Sequence, residues 1–431
     1  MMSSSMNIFY NHYVIAKLIL TDSDDLELFY TEEWKQNGFP LSPCLPLQGT
    51  LDKKDVKNFV LNLLPEGNGL EELSKLFHIS KANSFALLNA IGKETSGALS
   101  FGILESIETS FREISKEELQ ERIKERKKTP ITVWDGKVRL SLAGVQEKLP
   151  IAMLDGKYGF GEGKLASTHI LKFDTSDTHL VLNEAISLHL AHIAGLSVNK
   201  AKIELFNHEP VLVVERFDRK ILSTHQEVKK LHVIDGCQLL SLSPSYKYER
   251  NFGSARDVQH IRQGVSFKKL MQHGSKLDIP LLYKKALLDW SLVNLCLGNS
   301  DAHGKNISFF VNTSSLTLAP FYDIVNVKLY TTYDQDLAMA IGDEFDIETI
   351  KPYDLAAHCH TLDIKQQQLS LSFNTISTRI KKALDNKEAL PHVKEINAAF
   401  YDTYAHDVIT RMDQLSNVVD EFKKIDYSEY F

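Results

Sequence analysis

The sequence predicts an α+β protein, a β-rich region followed by a helical one. Three observations carry this. Residues 131–234 hold short apolar runs separated by turn signals such as Asp155-Gly156. From Cys237 onward, apolar residues recur mainly at helical spacing. Within that helical region one loop, residues 297–310 (LGNSDAHGKNISFF), is dense in residues that carry chemistry.

The chain has 431 residues, room for two or three domains with sizeable cores. With 43% hydrophobic and 24% charged residues, its composition is that of an ordinary globular protein. A net charge of −7 gives no global attraction to DNA or anionic membrane, so any DNA binding needs a local patch or a basic partner. Cys44, Cys237, Cys296 and Cys359 are scattered without a C-x-x-C pair, so neither a zinc ribbon nor a disulfide framework is indicated and the cytoplasm is the natural compartment. His358-Cys359-His360 lacks a second ligand pair nearby. No secretory signal is visible at Met1–Met6, and residues 281–297, interrupted by Lys284, Lys285 and Asp289, read as a buried helix and not a membrane span.

In order, residues 1–105 form a first domain with strands at 13–20 and 26–30 and a helix beginning near Asp55. Val56, Phe59, Val60, Leu63 and Leu64 give that helix an apolar face, and short helices follow at 71–77 and 84–91. Nothing in this domain carries chemistry of its own, so a structural or docking module is the preferred reading. A second domain, 106–236, opens with a helix whose Ser115 and Glu118 fit a capping box. Lys124, Arg126, Lys127 and Lys128 on that helix read as a solvated face. Strands follow at 149–154, 169–173, 201–206, 211–217 and 230–234, with a helix capped by Asn183 and ended by Gly195. The third domain, 237–431, is mainly helical, with helices at 256–263, 266–273, 280–297 and from about Asp354 to the end.

In the loop, Asp301 precedes Asn306 by five positions, with His303, Gly304 and Lys305 between them, and Tyr322-Asp323 follows downstream. Two acids and an amide so placed suit phosphoryl transfer: one carboxylate accepts a proton, while the amide and the other carboxylate hold Mg²⁺ against ATP phosphates. The plainer reading is a turn whose residues bond their own backbone. Ala143 to Lys148 is a loop of small residues that backbone amides could turn toward an anion, or simply a strand turn. Lys172 lies inside an apolar strand, a costly place unless an anion or a glutamate such as Glu184 meets it; the alternative is an edge lysine reaching water. Ile234, Asp235 and Gly236 occupy the expected hinge, where backbone groups could meet an adenine edge.

Ser141-Leu-Ala-Gly-Val-Gln-Glu-Lys148, Thr168-His-Ile-Leu-Lys172, Val214-Glu-Arg-Phe-Asp-Arg219, Asn299 to Asn306 and Ala319-Pro-Phe-Tyr-Asp323 occur in this order. Together with Asn62-Leu-Leu-Pro-Glu-Gly67 they resemble the motifs of the HipA family, kinase toxins of bacterial HipBA toxin–antitoxin modules, over nearly the whole chain. Val145, where alanine is commoner, and Gly236, where a bulkier residue is usual, depart from the pattern.

The resemblance implies a two-lobed, protein-kinase-like fold: a β-rich lobe with an extra N-terminal subdomain, and an all-helical C-terminal lobe. It implies an ATP- and Mg²⁺-dependent serine/threonine kinase with Asp301 as general base and Asn306 and Asp323 as metal ligands. Lys172, partnered by Glu184, would grip phosphates. Ala143, Gly144, Val145, Gln146, Glu147 and Lys148 would wrap them, with His303, Gly304, Lys305 and Tyr322 beside the nucleotide. Ser141 would be an autophosphorylation site that shuts the kinase off. The implied substrate is a protein, typically an aminoacyl-tRNA synthetase. The implied partner is a HipB-type helix-turn-helix antitoxin, through which alone the toxin meets DNA. Two rivals remain: a small-molecule kinase on the same scaffold, and a catalytically weak corepressor bound to an antitoxin.

Overall fold

A computed structural model describes residues 4–92, 95–102, 108–139, 146–174, 178–222, 227–386 and 391–427. By contacts the chain forms two compact units. The first contains residues 1–178, 200–244 and 309–314; the second contains 179–199, 245–308 and 315–431.

The first unit is β-rich. A four-stranded antiparallel sheet runs in the order Leu26–Tyr30, Tyr13–Leu20, Ser4–Tyr10, Leu99–Gly102, with a bulge between Ile8 and Phe9. Both expected strands are present, but Ser4–Tyr10 was not expected: Met6 and Ile8 alternate inward behind a serine-rich start that does not look like a strand. The helix near Asp55 is Lys53–Leu61, capped by Asp52, and the next two are Gly67–Phe77 and Ser84–Ile91.

A six-stranded sheet follows, ordered Ala201–Phe206, Glu209–Glu215, His169–Lys172, Lys148–Leu154, Lys157–Glu162, Ser110–Ile114. Asp155 and Gly156 both adopt left-handed backbone, as does the Asn207-His208 pair, so each supplies the turn a tight hairpin needs. One face of the sheet packs a core of Leu149, Ile151, Phe160, Leu171, Phe173 and Val213 against Leu119 and Ile123 of the helix Lys116–Glu125.

Several local expectations differ from the structure. Ser115 accepts from the Glu118 amide, but the Glu118 carboxylate turns to Arg112 and leaves the capping box half made. Arg126 is no solvated cation: its side chain is 8% exposed and paired with Glu147 and Glu209. The strand expected at 230–234 is two, Val228–Lys230 and Val233–Asp235, separated where the Leu231 amide bonds the Asp218 carbonyl.

In the second unit the helix Leu180–Ala194 starts at His179, in left-handed backbone, and ends at Gly195 (φ +110°). Asn183 does not cap it. It lies buried inside the first turn, its Oδ1 accepting from the Asn326 amide at 2.7 Å and its Nδ2 donating to the Asn326 carbonyl at 3.0 Å. The expected helix at 256–263 is a series of turns; Asn251, Gly253 and Asp257 favour turns, and Arg262 is drawn to Glu249 and Asp343. Pro280–Leu297 is the expected helix, buried continuously from Trp290 to Leu297, with Trp290 stacked on Phe321 at 5.2 Å. Among the described residues no helix is long and apolar enough to cross a membrane. The helices Phe267–Gln272, Pro352–Leu362, Gln366–Asp385 and Ala398–Phe422 complete the unit's main helices. His358 sits inside one of them with Nε2 against the Ser291 hydroxyl at 2.9 Å.

Candidate active site

The loop from Gly298 to Asn306 is aimed by the end of the helix Pro280–Leu297. Gly298 takes left-handed backbone (φ +72°), and a Cβ there would fall 2.6 Å from both Arg411 Nη1 and Asn326 Oδ1. Its carbonyl accepts from the Val327 and Lys328 amides, which ties the segment after Asp323 to the loop. Asn306 Nδ2 donates to the Asp301 carbonyl at 2.9 Å, and the Asn306 amide donates to the His303 carbonyl at 2.9 Å. The loop closes on itself while the Asp301 side remains exposed.

Tyr322 donates its hydroxyl to the Lys305 carbonyl at 2.5 Å and meets Ser308 Oγ at 2.8 Å. That bond sets the neighbouring Asp323, in left-handed backbone (φ +57°), beside the same loop. Left-handed backbone is costly for a non-glycine residue, and such residues collect at functional sites. His303 is buried, and burial, assisted by the Lys247 charge and opposed by Asp323, pushes its pKa down to about 3. Its ring is therefore neutral at ordinary pH. Lys305 and Asn306 are also buried, and the Tyr248 hydroxyl donates to Asp301 Oδ1 at 2.7 Å.

The donor set fits Mg²⁺. Because Asn306 commits Nδ2 to a carbonyl, its Oδ1 is the atom left to act as a ligand. With the Asp323 carboxylate it makes two hard oxygen donors, and Mg²⁺ commonly takes only one or two protein ligands and completes its shell with phosphate and water. Among the described residues there is no group of three or more His, Cys, Asp and Glu able to hold a metal by themselves.

In the first unit, Lys172 is 9% exposed and lies directly opposite Lys148 in the antiparallel pair. Side chains so paired share one face of the sheet, which brings the two cations together. Gln146 Nε2 donates to the Phe173 carbonyl at 3.1 Å, and the Phe173 amide donates to the Glu147 carbonyl at 3.1 Å, so the end of the small-residue loop is stitched to the strand bearing Lys172. Ser141, Ala143, Gly144 and Val145 lie outside the described residues. Ile234 and Gly236 are buried; Asp235 caps a one-turn helix, Gly236–Leu239, and its own amide is taken by Gln238 Oε1. Glu184, 2% exposed on the helix Leu180–Ala194, belongs to the second unit, Lys172 to the first.

Two contributors escape sequence reasoning. Tyr248 lies 53 residues before Asp301, and Arg126 sits in a run that looks like solvated charge. No local pattern marks either. The Val214–Arg219 motif proves to be structural. Arg216 and Arg219 both hold the Asp218 carboxylate at 2.8 Å, the Gly97 amide donates to it at 2.7 Å, and both arginines donate to the Thr95 carbonyl. Burial opposes the Asp218 charge, but the two guanidiniums outweigh it and hold the carboxyl below the usual carboxylate range.

Family models for a HipA N-terminal domain and a HipA-like C-terminal domain match residues 6–102 and 140–402. The chain is 42% identical over 407 residues to the serine/threonine-protein kinase toxin HipA of Shewanella oneidensis, covering 94% of each chain. It is 31% identical over 353 residues to Y4mE of Sinorhizobium fredii, covering 78% of this chain and 80% of that one. The solved complex of Shewanella oneidensis HipA, HipB and operator DNA aligns with a TM-score of 0.87 and 40% identity over 98% of this chain and 100% of that one. With this match the expected two-lobed, kinase-like α+β fold stands, but the region 237–431 is not all-helical: the short apolar runs Ser308–Val311 and Leu316–Leu318 are strands. The chain belongs to the HipA family of serine/threonine-protein kinase toxins.

Proposed function

We propose that the chain transfers the γ-phosphate of ATP to a serine or threonine hydroxyl of a protein, with Asp301 as general base. The observation that carries this is the closed loop: Asn306 holds the Asp301 carbonyl at 2.9 Å while the Asp301 side remains exposed. Asp301 accepts the proton of the attacking hydroxyl. Asn306 and Asp323 hold Mg²⁺, which when bound offsets the charge on the phosphates. Lys172 and Lys148 attract phosphate oxygens, and the loop from Ala143 to Glu147 wraps them. His303, Gly304 and Lys305 flank the phosphates, and Tyr322 keeps Asp323 in register with the loop. Ile234, Asp235 and Gly236 meet the base through groups other than the Asp235 amide, which Gln238 already occupies. In domain terms, 1–105 is the N-terminal subdomain, 106–236 the nucleotide-gripping lobe and 237–431 the catalytic lobe.

Autophosphorylation of Ser141 acts as an off-switch. A phosphate brings about −1.5 to −2 charges into a loop that must wrap other phosphates, and repulsion expels the loop. The protein substrate is an aminoacyl-tRNA synthetase in the cytoplasm, and a HipB-type antitoxin neutralises the toxin and carries it to operator DNA; the HipA–HipB–DNA complex of the Shewanella relative supports that pairing. Incubation with labelled ATP and Mg²⁺ tests the chemistry. Label is expected on serine in the native chain; its absence at every Mg²⁺ concentration sinks the proposal. Phosphoproteomics after induced expression identifies the acceptor, and an adjacent helix-turn-helix gene supports the antitoxin. Ser141→Ala is expected to stay active, and the phosphorylated form to lose ATP binding.

A further inference from the structure

Residues Tyr246–Glu249 are strapped to three parts of the second unit. The Val265 amide donates to the Tyr246 carbonyl at 2.9 Å, the Gly304 amide to the Lys247 carbonyl at 2.9 Å, and the Glu249 amide to the Ala338 carbonyl at 2.8 Å. The buried Glu249 side chain anchors the strap further, accepting from the Ala340 amide at 2.9 Å and from Arg262 at 2.7 Å. A Cβ on Gly304 would come within 2.4 Å of Val265, so the loop approaches this region as closely as only glycine allows.

The Tyr248 side chain rises from this fixed backbone. Its ring meets His303 edge-on at 5.2 Å, and the Lys247 ammonium lies 5.3 Å from the ring centroid. Its hydroxyl donates to Asp301 Oδ1 at 2.7 Å.

We infer that Tyr248 is a positioning residue for the general base, its hydroxyl fixing the plane of the Asp301 carboxylate. This rests on the reading of Asp301 as base. The terminal torsion of aspartate is broad, so an unrestrained carboxylate samples many orientations. An O–H donor to a carboxylate is a strong, charge-assisted bond. A carboxylate offers about four lone-pair sites, so a phenol on one of them does not by itself block the incoming hydroxyl.

The test compares Tyr248→Phe, Tyr248→Leu and Asp301→Ala in the full-length chain. Phosphate transfer from labelled MgATP onto the chain itself is measured per mole of nucleotide bound, so that any misfolded fraction drops out. Tyr248→Phe keeps the ring on His303 and removes only the hydroxyl. It is expected to lower the transfer rate about ten-fold or more while the KM for ATP stays within about two-fold. Tyr248→Leu is expected to fall at least as far. If Tyr248→Phe matches the native rate, with or without loss in Tyr248→Leu, the hydroxyl does not orient the base and the inference fails. If Asp301→Ala itself keeps native transfer, the reading beneath it fails instead.

Discussion

Two charged motifs of this chain carry the family resemblance, and the structure separates them. In the first unit, Arg216, Asp218 and Arg219 are all buried, and the carboxylate is enclosed by two guanidiniums and a backbone amide. In the second, Asp301 is exposed, with the neutral Tyr248 hydroxyl on one oxygen and its own main chain held by Asn306. An enclosed carboxylate stabilises a fold; an exposed one on a rigid backbone can do chemistry. Each motif places an acid within a few residues of a cation. What differs is burial: Asp218 is enclosed, whereas Asp301 faces solvent.

The largest effect expected from this contrast is on rate. Asp301→Asn should lower phosphate transfer by about a thousand-fold, within the range a general base contributes, with the thermal midpoint close to native. Label transfer and a melting curve on one preparation check both halves. The reverse profile is expected for Asp218→Asn. It leaves two buried guanidiniums facing a neutral amide, a change that costs roughly 3–5 kcal/mol, on the order of 10 °C in the midpoint. Folded Asp218→Asn protein, assayed well below its midpoint, should transfer phosphate at near-native rate; a rate loss there with an unchanged midpoint would erase the distinction.

Acidification sharpens the comparison without mutation. Burial pushes the pKa of His232 down to about 4, against which its bond to the Leu41 carbonyl works, and burial pushes that of His358 down to about 3. Both are neutral in the fold, while the unfolded chain protonates them from about 6.5 downward. Folding stability therefore falls as pH drops below about 6.5, by about 2–3 kcal/mol for each histidine at pH 4.5. Asp218 acts in the same sense but in a lower window: its folded carboxyl titrates below the ordinary 3.8, so its contribution is present above that value and lost only beneath it. Between pH 7 and 4.5 these histidines should lower the midpoint, while Asp218 adds nothing to the slope. Replacing His358 with glutamine should flatten that slope, whereas Asp218→Asn should lower the curve and leave its slope unchanged.

How much of this was legible beforehand follows from the range of the interactions. The strands Tyr13–Leu20 and Leu26–Tyr30 and the helix Pro280–Leu297 match their expected bounds, because side-chain periodicity and a helix-starting proline act over neighbouring residues. The spacing of Asp301 and Asn306 is equally local, and the hydrogen bond between them spans those same five positions. Asn183 has the residue type of a cap, but its partner, Asn326, lies 143 residues away, beyond any local pattern. Tyr248 and the Asp218 cluster were illegible for the same reason: the bonds that define them join segments that no periodicity connects.

Arg126 stands between the two extremes and offers the finest test. Its guanidinium reaches Glu147 at 3.3 Å and Glu209 at 2.5 Å, donates to the Asp174 carbonyl at 3.0 Å, and lies 5.7 Å from the Phe173 ring centroid. Yet both carboxylates keep about a third of their surface in water, so neither is enclosed as Asp218 is. Burial raises the pKa of Glu147, and Arg126 is the cation that opposes this shift. Glu147 also bears the carbonyl that the Phe173 amide holds, one residue past Lys172. Arg126→Met keeps much of the apolar stem and removes the charge. Its expected consequence is a looser base to the phosphate loop: the KM for ATP rises about three- to ten-fold, with kcat near native and a midpoint loss smaller than that of Asp218→Asn. A midpoint loss as large as that of Asp218→Asn with KM unchanged would make Arg126 another structural cation, and partial enclosure would no longer predict where function begins.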